Sequence, residues 1–166
     1  VEAEGALYLI DQHAAHERLI YDELAAAPPA VQELLVPLVY EPEDEAEDRR
    51  LATLAPGLAE AGFALERDGP TWQLTSLPAL LKGDPEGALR ELLGLGRAGA
   101  KDAVSAARAM AACRAAVKDG DELDPEAARE LAARAMALPE PRCPHGRPVW
   151  VRLTREELFR LVRRTV

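Results

Sequence analysis

Apolar and polar positions along the chain follow two periods, which predict strands and helices in alternation. The run "ALYLI" at residues 6–10 is short and continuously apolar, as in a buried strand. Asp11 follows it and can cap a helix over about 13–26, which Pro28-Pro29 ends. The apolar stretch in "VQELLVPLVYEP" predicts a further strand near 35–40. Alternation of this kind indicates an α/β or α+β domain.

Turn and cap residues mark the remaining elements. The stretch "FALERDGPTWQLTSLP" predicts a hairpin that turns at Asp68-Gly69-Pro70. Asp84-Pro85 and Asp124-Pro125 each open a helix, because an N-cap residue followed by proline is a typical helix start. The other predicted elements are a turn at Glu4-Gly5, a helix that ends at Gly62, a loose joint at Gly94, Gly96 and Gly99, an Ala-rich helix over about 102–118, the strand "VWVRL", and a last helix over 155–165 with a Thr154–Glu157 capping box.

The order of elements predicts two parts. Residues 28–101 form an inserted α/β unit, while residues 1–27 and 102–166 form one subdomain with a small sheet packed by helices. The first residue is Val, and "VEAEGALYLI" is typical of a strand, a turn and a second strand, so we expect a segment of a longer protein. No apolar run reaches the roughly 18–20 residues that span a bilayer.

Composition and charge narrow the class of partner. The formal net charge is −9, which argues against tight, autonomous binding to nucleic acid. Seven arginines against two glutamates follow residue 141, so a local basic surface can still meet phosphate; a solvated face is the alternative. The absence of Asn and the 13 prolines are typical of a thermophile, although GC-rich codon usage gives the same bias. Two cysteines are too few for a secreted disulfide scaffold.

Three short motifs carry metal-binding residue types. In "DQHAAHE", His13 and Glu17 lie four residues apart and share a helix face, with Asp11 at the strand end. In "CPHGRP", a rigid loop carries Cys143 and His145, and in "AACRAAV" Cys113 lies on a helix. Each motif alone has an ordinary explanation: a cap with a surface His–Glu pair, a chance loop sequence, and a buried small hydrophobe.

Taken together and in this order, D-Q-H-A-x-x-E, A-C-R and C-P-H-G-R-P resemble the C-terminal endonuclease domain of the DNA mismatch-repair protein MutL. The resemblance covers the whole chain. It implies a metal-dependent endonuclease that nicks duplex DNA, a bacterial, cytoplasmic and nucleoid-associated location, and a tightly bound Zn²⁺ beside a catalytic Mn²⁺ or Mg²⁺. The metal ligands it implies are Asp11, His13, Glu17, Cys113, Cys143 and His145.

Other residues receive supporting roles. Arg147 and Arg114 are the candidates for stabilising the scissile phosphate, and Arg147 is preferred because it lies on the ligand loop; a structural salt bridge to one of the acids is the alternative. Gln12 and Arg114 are expected behind the ligands. Asp22 stands where nicking relatives carry a second acid, normally Glu. His16 is expected to be exposed or behind the ligands, and Arg160, in an imperfect F-x-R element, receives no role.

The resemblance also implies partners. "QELLVP" looks like the element that engages the replication sliding clamp, through Gln32, Leu34, Leu35 and Pro37; an edge strand is the alternative. The family domain is a homodimer through its outer subdomain, and the full-length protein meets the mismatch-recognition protein MutS. The main alternative function is a non-catalytic dimerisation module with a structural zinc. A metallopeptidase lacks H-E-x-x-H, and a redox pair lacks C-x-x-C.

Overall fold

The computed structural model describes residues 1–97, 103–118 and 120–163. Within them the helices are α1 (Gln12–Ala26), α2 (Glu45–Glu60), α3 (Pro85–Arg97), α4 (Ala103–Ala115), α5 (Pro125–Met136) and α6 (Arg155–Leu161). The strands are β1 (Glu2–Ala3), β2 (Ala6–Ile10), β3 (Val31–Tyr40), β4 (Ala64–Asp68), β5 (Thr71–Pro78) and β6 (Trp150–Thr154). No described helix has the length and apolar character needed to cross a membrane.

The chain divides into two compact units. The terminal unit comprises Val1–Ile20 and Ala116–Val166, and the central unit comprises Tyr21–Ala115. Both sheets are antiparallel, so the mixed fold class predicted from the sequence is confirmed in its α+β form. The boundaries between the units differ from the predicted ones, which lay between residues 27 and 28 and between residues 101 and 102. The second boundary lies later because α4 packs against α2 and α3 of the central unit. That packing places the Cys113 helix in the central unit.

The terminal unit is built on the sheet β1–β2–β6. The Glu4-Gly5 turn is confirmed, since both residues adopt positive φ between β1 and β2. Ala14 and Ala15 of α1 lie at zero exposure, and their small side chains let the helix pack closely on Cys143 and Val149. This packing brings the first turns of α1 beside the C-P-H-G-R-P loop.

The central unit has the sheet β3–β5–β4, with helices α2, α3 and α4. Phe63, Trp72 and Leu74 fill its core, and the predicted hairpin at Asp68-Gly69-Pro70 is confirmed. β3 is an edge strand, and its pairing with β5 shifts register between Glu33 and Leu38. The segment within that irregularity is part of the sequence "QELLVP".

Several predicted boundaries are corrected. Gly94 and Gly96 lie inside α3 and not in a loose joint, because Leu89 and Leu92 are buried and that packing offsets the roughly 1 kcal/mol cost of each helical glycine. Gly99 lies outside the described residues. α4 ends at Ala115, three residues earlier than predicted, and α6 ends at Leu161 instead of 165. The Asp124 cap and the Thr154–Glu157 capping box are confirmed.

Candidate metal centre

Asp11 stands where strand β2 becomes helix α1. Its Oδ1 accepts a 2.9 Å hydrogen bond from the Ala14 N–H, and its own N–H donates to the Val149 carbonyl. Asp11 is therefore the N-cap of α1, as its position after "ALYLI" predicted. The side chain is exposed, and the capping bond uses only one of its two oxygens.

The loop that carries Cys143 and His145 is a tight hairpin. The Cys143 N–H donates to the Arg147 carbonyl at 2.9 Å, and the Gly146 N–H donates to the Cys143 carbonyl at 2.8 Å. Gly146 has φ +82°, a conformation that side-chain-bearing residues rarely adopt. Arg142 closes the turn by donating to the Gly146 carbonyl at 3.0 Å. These hydrogen bonds thus fix the backbone positions from which the Cys143 thiol and the His145 imidazole extend.

Three ligand-type atoms converge where this hairpin meets α1. A carboxylate oxygen of Glu17, the Cys143 sulfur and a ring nitrogen of His145 all lie within 4.8 Å of one another. Glu17 is 2% exposed and Cys143 is 3% exposed, while His145 reaches solvent. The cluster is consequently buried on one side and open on the other.

The buried carboxylate of Glu17 lacks a hydrogen-bond donor. Its Oε1 lies 2.7 Å from His145 Nδ1, but no described residue gives this oxygen a hydrogen bond of acceptable geometry. A neutral imidazole nitrogen and a carboxylate oxygen at this distance are two acceptors that face each other unless a proton or cation lies between them. Leaving a buried charge unpaired is unfavourable. The arrangement therefore favours a proton on Nδ1 or a bound cation between the two atoms.

His13 lies one helical turn before Glu17. A ring nitrogen of His13 and a carboxylate oxygen of Glu17 also lie within 4.8 Å of each other. His13 Nδ1 is 2.7 Å from the Val117 carbonyl oxygen, so this nitrogen carries the proton and donates. Nε2 then keeps its lone pair, as in metal-binding histidines whose other nitrogen donates to a carbonyl.

The chemistry of this donor set fits a divalent metal. One carboxylate, one thiol and two imidazoles offer oxygen, sulfur and nitrogen ligands, which Zn²⁺ accepts together and which no single hard cation prefers. Among the six predicted ligands, the structure thus places Cys143 and His145 in one group with Glu17, and it places His13 within reach of the same Glu17. Asp11 is occupied in capping, and Cys113 is half-buried on α4 of the central unit; their roles as ligands stay predictions.

The residues predicted to support the metal ligands are divided between the two units. The Gln12 amide donates to the Asp121 carbonyl at 3.0 Å, so it binds the loop after α4 and not a ligand. Arg114 pairs with Glu91 at 2.8 Å inside the central unit, where half-buried Asp22 also lies. Arg147 is exposed on the ligand hairpin, and no ion pair to a described acid holds it.

Sequence reasoning missed two contributors that act through the backbone. The Val117 carbonyl orients His13, and Arg18 donates to the Arg142 carbonyl at 3.2 Å, tying α1 to the ligand hairpin. Every residue has a backbone carbonyl, so the sequence does not mark the one that orients His13. Arg18 follows Glu17 in the sequence, but its partner is the Arg142 carbonyl, 124 residues away, which the sequence does not predict.

Comparison with known proteins identifies the family of the chain. Residues 1–123 match the family described as the MutL C terminal dimerisation domain. The chain is 42% identical, over 99% of its length and 27% of the relative's, to the DNA mismatch repair protein MutL of Treponema pallidum (strain Nichols). It is 40% identical to that of Syntrophobacter fumaroxidans, over 99% of this chain and 26% of the relative, and 38% identical to that of Xanthomonas campestris pv. campestris, over 95% and 27%. The chain spans about a quarter of the length of these relatives. It belongs to the MutL C-terminal dimerisation domain family of DNA mismatch-repair proteins.

Proposed function

We propose that this domain is a metal-dependent endonuclease that nicks duplex DNA during mismatch repair. The observation that carries the proposal is the buried, donor-less carboxylate of Glu17 beside the Cys143 thiol and the His145 imidazole. A cation stabilises a group of this kind, and its open side at His145 gives a phosphate access. The proposal also follows from the combination of motifs that the sequence analysis identified.

We assign Glu17, Cys143, His145 and His13 of the terminal unit to metal binding, with Asp11 as a further ligand from the same unit. When bound there, a divalent ion supplies positive charge beside the scissile phosphate and acidifies water. The thiol and imidazole ligands suit a tightly held Zn²⁺, and the carboxylates would hold a more weakly bound Mn²⁺ or Mg²⁺ that supplies the positive charge for hydrolysis. Asp11, exposed at the start of α1 with one carboxylate oxygen outside its capping bond, is the carboxylate assigned to the second ion.

Arg147 is assigned to the phosphate. Its backbone carbonyl accepts from Cys143, so the base of the side chain is fixed on the same hairpin as two ligands. Its guanidinium is exposed and makes no ion pair with a described acid, which leaves its donors free for phosphate oxygens. The salt-bridge alternative from the sequence analysis therefore has no support among the described residues.

The test is nicking of supercoiled circular DNA with Mn²⁺, with and without the sliding clamp, and with EDTA as the control. Asp11→Asn is the informative variant because asparagine caps a helix as well as aspartate does. The change therefore removes the charge and keeps the bond to Ala14. We expect nicking in the wild type and its loss in Asp11→Asn with an unchanged melting temperature.

The alternative is a dimerisation module with a structural zinc, which the family description favours. It predicts no nicking in any arm together with a stoichiometric zinc that Cys143→Ser releases. That combination of results would refute the endonuclease and establish the module.

We further propose that the domain forms a homodimer through the outer face of the β1–β2–β6 sheet. Leu9 and Val151 are direct cross-strand neighbours at 55% and 49% exposure, and the next pair on this face is Leu7 with Leu153. Four aliphatic side chains on one sheet face are unusual for a surface that meets only water. A two-fold axis would bring the same face of a second copy onto it.

Leu9→Glu tests this interface by light scattering after gel filtration. Burying a carboxylate against its own copy is costly, so we expect monomers at concentrations at which the wild type is dimeric. The matched control is Leu35→Glu, the same change at a fully exposed position of the central unit. A dimer that survives Leu9→Glu would exclude this face.

We propose that β3 docks on the replication sliding clamp. Its pairing with β5 is interrupted between Glu33 and Leu38, and within this interruption Leu35 and Val36 are largely exposed. An edge strand that leaves apolar side chains unpaired suits insertion into a hydrophobic pocket, with Gln32 beside it as the polar contact.

Clamp binding is tested by surface plasmon resonance with immobilised clamp. Leu35→Glu should abolish binding and leave the dimer intact, whereas Leu9→Glu should do the reverse. Equal binding by wild type and Leu35→Glu would refute the assignment. Because the domain carries a net charge of −9, weak binding to DNA alone is expected, with the clamp, MutS and the rest of the full-length protein bringing it to DNA in the bacterial cytoplasm.

A further inference from the structure

Two histidines of α1 bind the two backbone polar groups of one residue. The Val117 carbonyl oxygen lies 2.7 Å from His13 Nδ1, and the Val117 N–H donates to His16 Nδ1 at 3.2 Å. His13 and His16 are three residues apart and therefore neighbours on the helix surface. The same ring position thus serves as donor in one histidine and as acceptor in the other.

These two contacts fix opposite tautomers. His16 Nδ1 accepts a hydrogen bond, so it carries no proton and the ring proton lies on Nε2. His13 Nδ1 faces a carbonyl, so it carries the proton and leaves Nε2 with a lone pair. His13 can offer Nε2 to a metal only in the tautomer that carries the proton on Nδ1.

We propose that His16 is a positioning residue for the metal centre. By accepting from the Val117 N–H, it fixes the peptide group that precedes Val117 and so limits the rotation of this residue, whose carbonyl sets the tautomer and ring orientation of His13. The inference rests on the proposed function, since His13 needs a defined lone pair only as a ligand. It also gives the second histidine of "DQHAAHE" a role that is not ligation.

The surrounding contacts separate this role from general folding. Gln12 also reaches the segment after α4, donating to the Asp121 carbonyl at 3.0 Å, and the Asp121 carboxylate accepts from the Lys118 N–H at 2.7 Å. The segment is therefore anchored to α1 at a second point. The Lys118 N–H shares its peptide group with the Val117 carbonyl, so losing the His16 bond should loosen Val117 on one side only, without detaching the segment, and variants at His16 are expected to fold.

A matched pair of substitutions tests the inference. In His16→Asn the side-chain oxygen occupies the place of Nδ1 and can still accept from Val117. In His16→Gln the polar end group reaches only the place of Nε2, so the acceptor is lost although polarity and size are kept. His16→Leu serves as a second acceptor-free variant, and thermal melting checks that each one folds.

The first readout is the tautomer of His13 in the metal-free chain, from long-range ¹H–¹⁵N correlations of the imidazole ring. The wild type and His16→Asn should show the proton on Nδ1, and His16→Gln should show a mixture of tautomers. The second readout is zinc affinity by competition with a chromophoric chelator. We expect about tenfold weaker zinc binding in His16→Gln, at the low end for lost support of a ligand, and near-wild-type binding in His16→Asn.

Two results separate the positioning role from the metal site itself. An unchanged His13 tautomer in both His16→Gln and His16→Leu would overturn the positioning role, whatever the zinc affinity. Zinc affinity that is unaffected by His13→Ala would overturn the ligand set, and with it the purpose of positioning, even if the tautomer shifts.

Discussion

The Glu17→Gln variant should be more stable than the wild type without metal and should gain much less stability from metal. Glu17 Oε1 faces His145 Nδ1 at 2.7 Å without a hydrogen bond, at a position 2% exposed. Glutamine removes the buried charge, and its amide N–H can donate to that nitrogen. Relief of an unsatisfied buried group contributes about 1–3 kcal/mol. Each kcal/mol shifts the melting temperature of a chain of this length by about 2–4 °C, so a rise of roughly 2–12 °C is expected.

With zinc, the stability advantage of the variant over the wild type should shrink by about 2.3 kcal/mol. A ligand present at one hundred times its Kd stabilises the folded state by about 2.7 kcal/mol, and a hundredfold weaker Kd reduces this to about 0.4 kcal/mol. Glu17→Gln should therefore lose most of the zinc-induced rise that the wild type shows. The variant is more stable in EDTA and gains little from metal.

Scanning calorimetry at pH 8, where histidines are normally neutral, measures both states. Glu122→Gln is the matched control because the same chemical change is made at an exposed position of the same unit. The control should leave both melting temperatures within about 1–2 °C, since surface substitutions usually change stability by less than about 0.5 kcal/mol. A Glu17→Gln protein that melts lower in EDTA and keeps the full response to zinc would refute the reasoning.

Three further predictions concern the ligand hairpin and the last helix. Arg147→Ala should lower nicking by about a hundredfold, the scale of one lost electrostatic contact to a transition state, with zinc affinity unchanged in chelator competition; an equal loss in both would make Arg147 structural. Gly146→Ala should destabilise the domain by about 1–2 kcal/mol in urea unfolding, because φ is +82° and no atom within 4 Å would contact the added methyl group. The backbone hydrogen bond from Thr154 in the capping box holds the pKa of Glu157 below its ordinary value. The carboxylate therefore stabilises α6 fully above the unfolded-state pKa and loses this effect as pH falls through the folded-state pKa, so wild type and Glu157→Gln should converge in stability at acid pH and differ at neutral pH.

The sequence by itself determined the helix caps and the shared helix face of the first motif, because both depend on neighbours along the chain. Asp11 after "ALYLI", Asp124 before Pro125 and Thr154 three residues before Glu157 are caps because the relevant backbone N–H groups lie within one helical turn. The spacing of His13 and Glu17 likewise put both side chains on one helix face. Local chemistry misled at Gly94 and Gly96, where buried leucines outweigh the weak helix propensity of glycine.

Only the tertiary structure decided which groups meet. The approach of Cys143 and His145 to Glu17 depends on close packing of Ala14 and Ala15 against Val149, more than 130 residues away along the chain. The donors and acceptors that set the histidine tautomers are backbone groups of Val117, which no residue pattern reveals. Side-chain types determine which chemistry is available, and long-range packing determines the distances at which that chemistry operates.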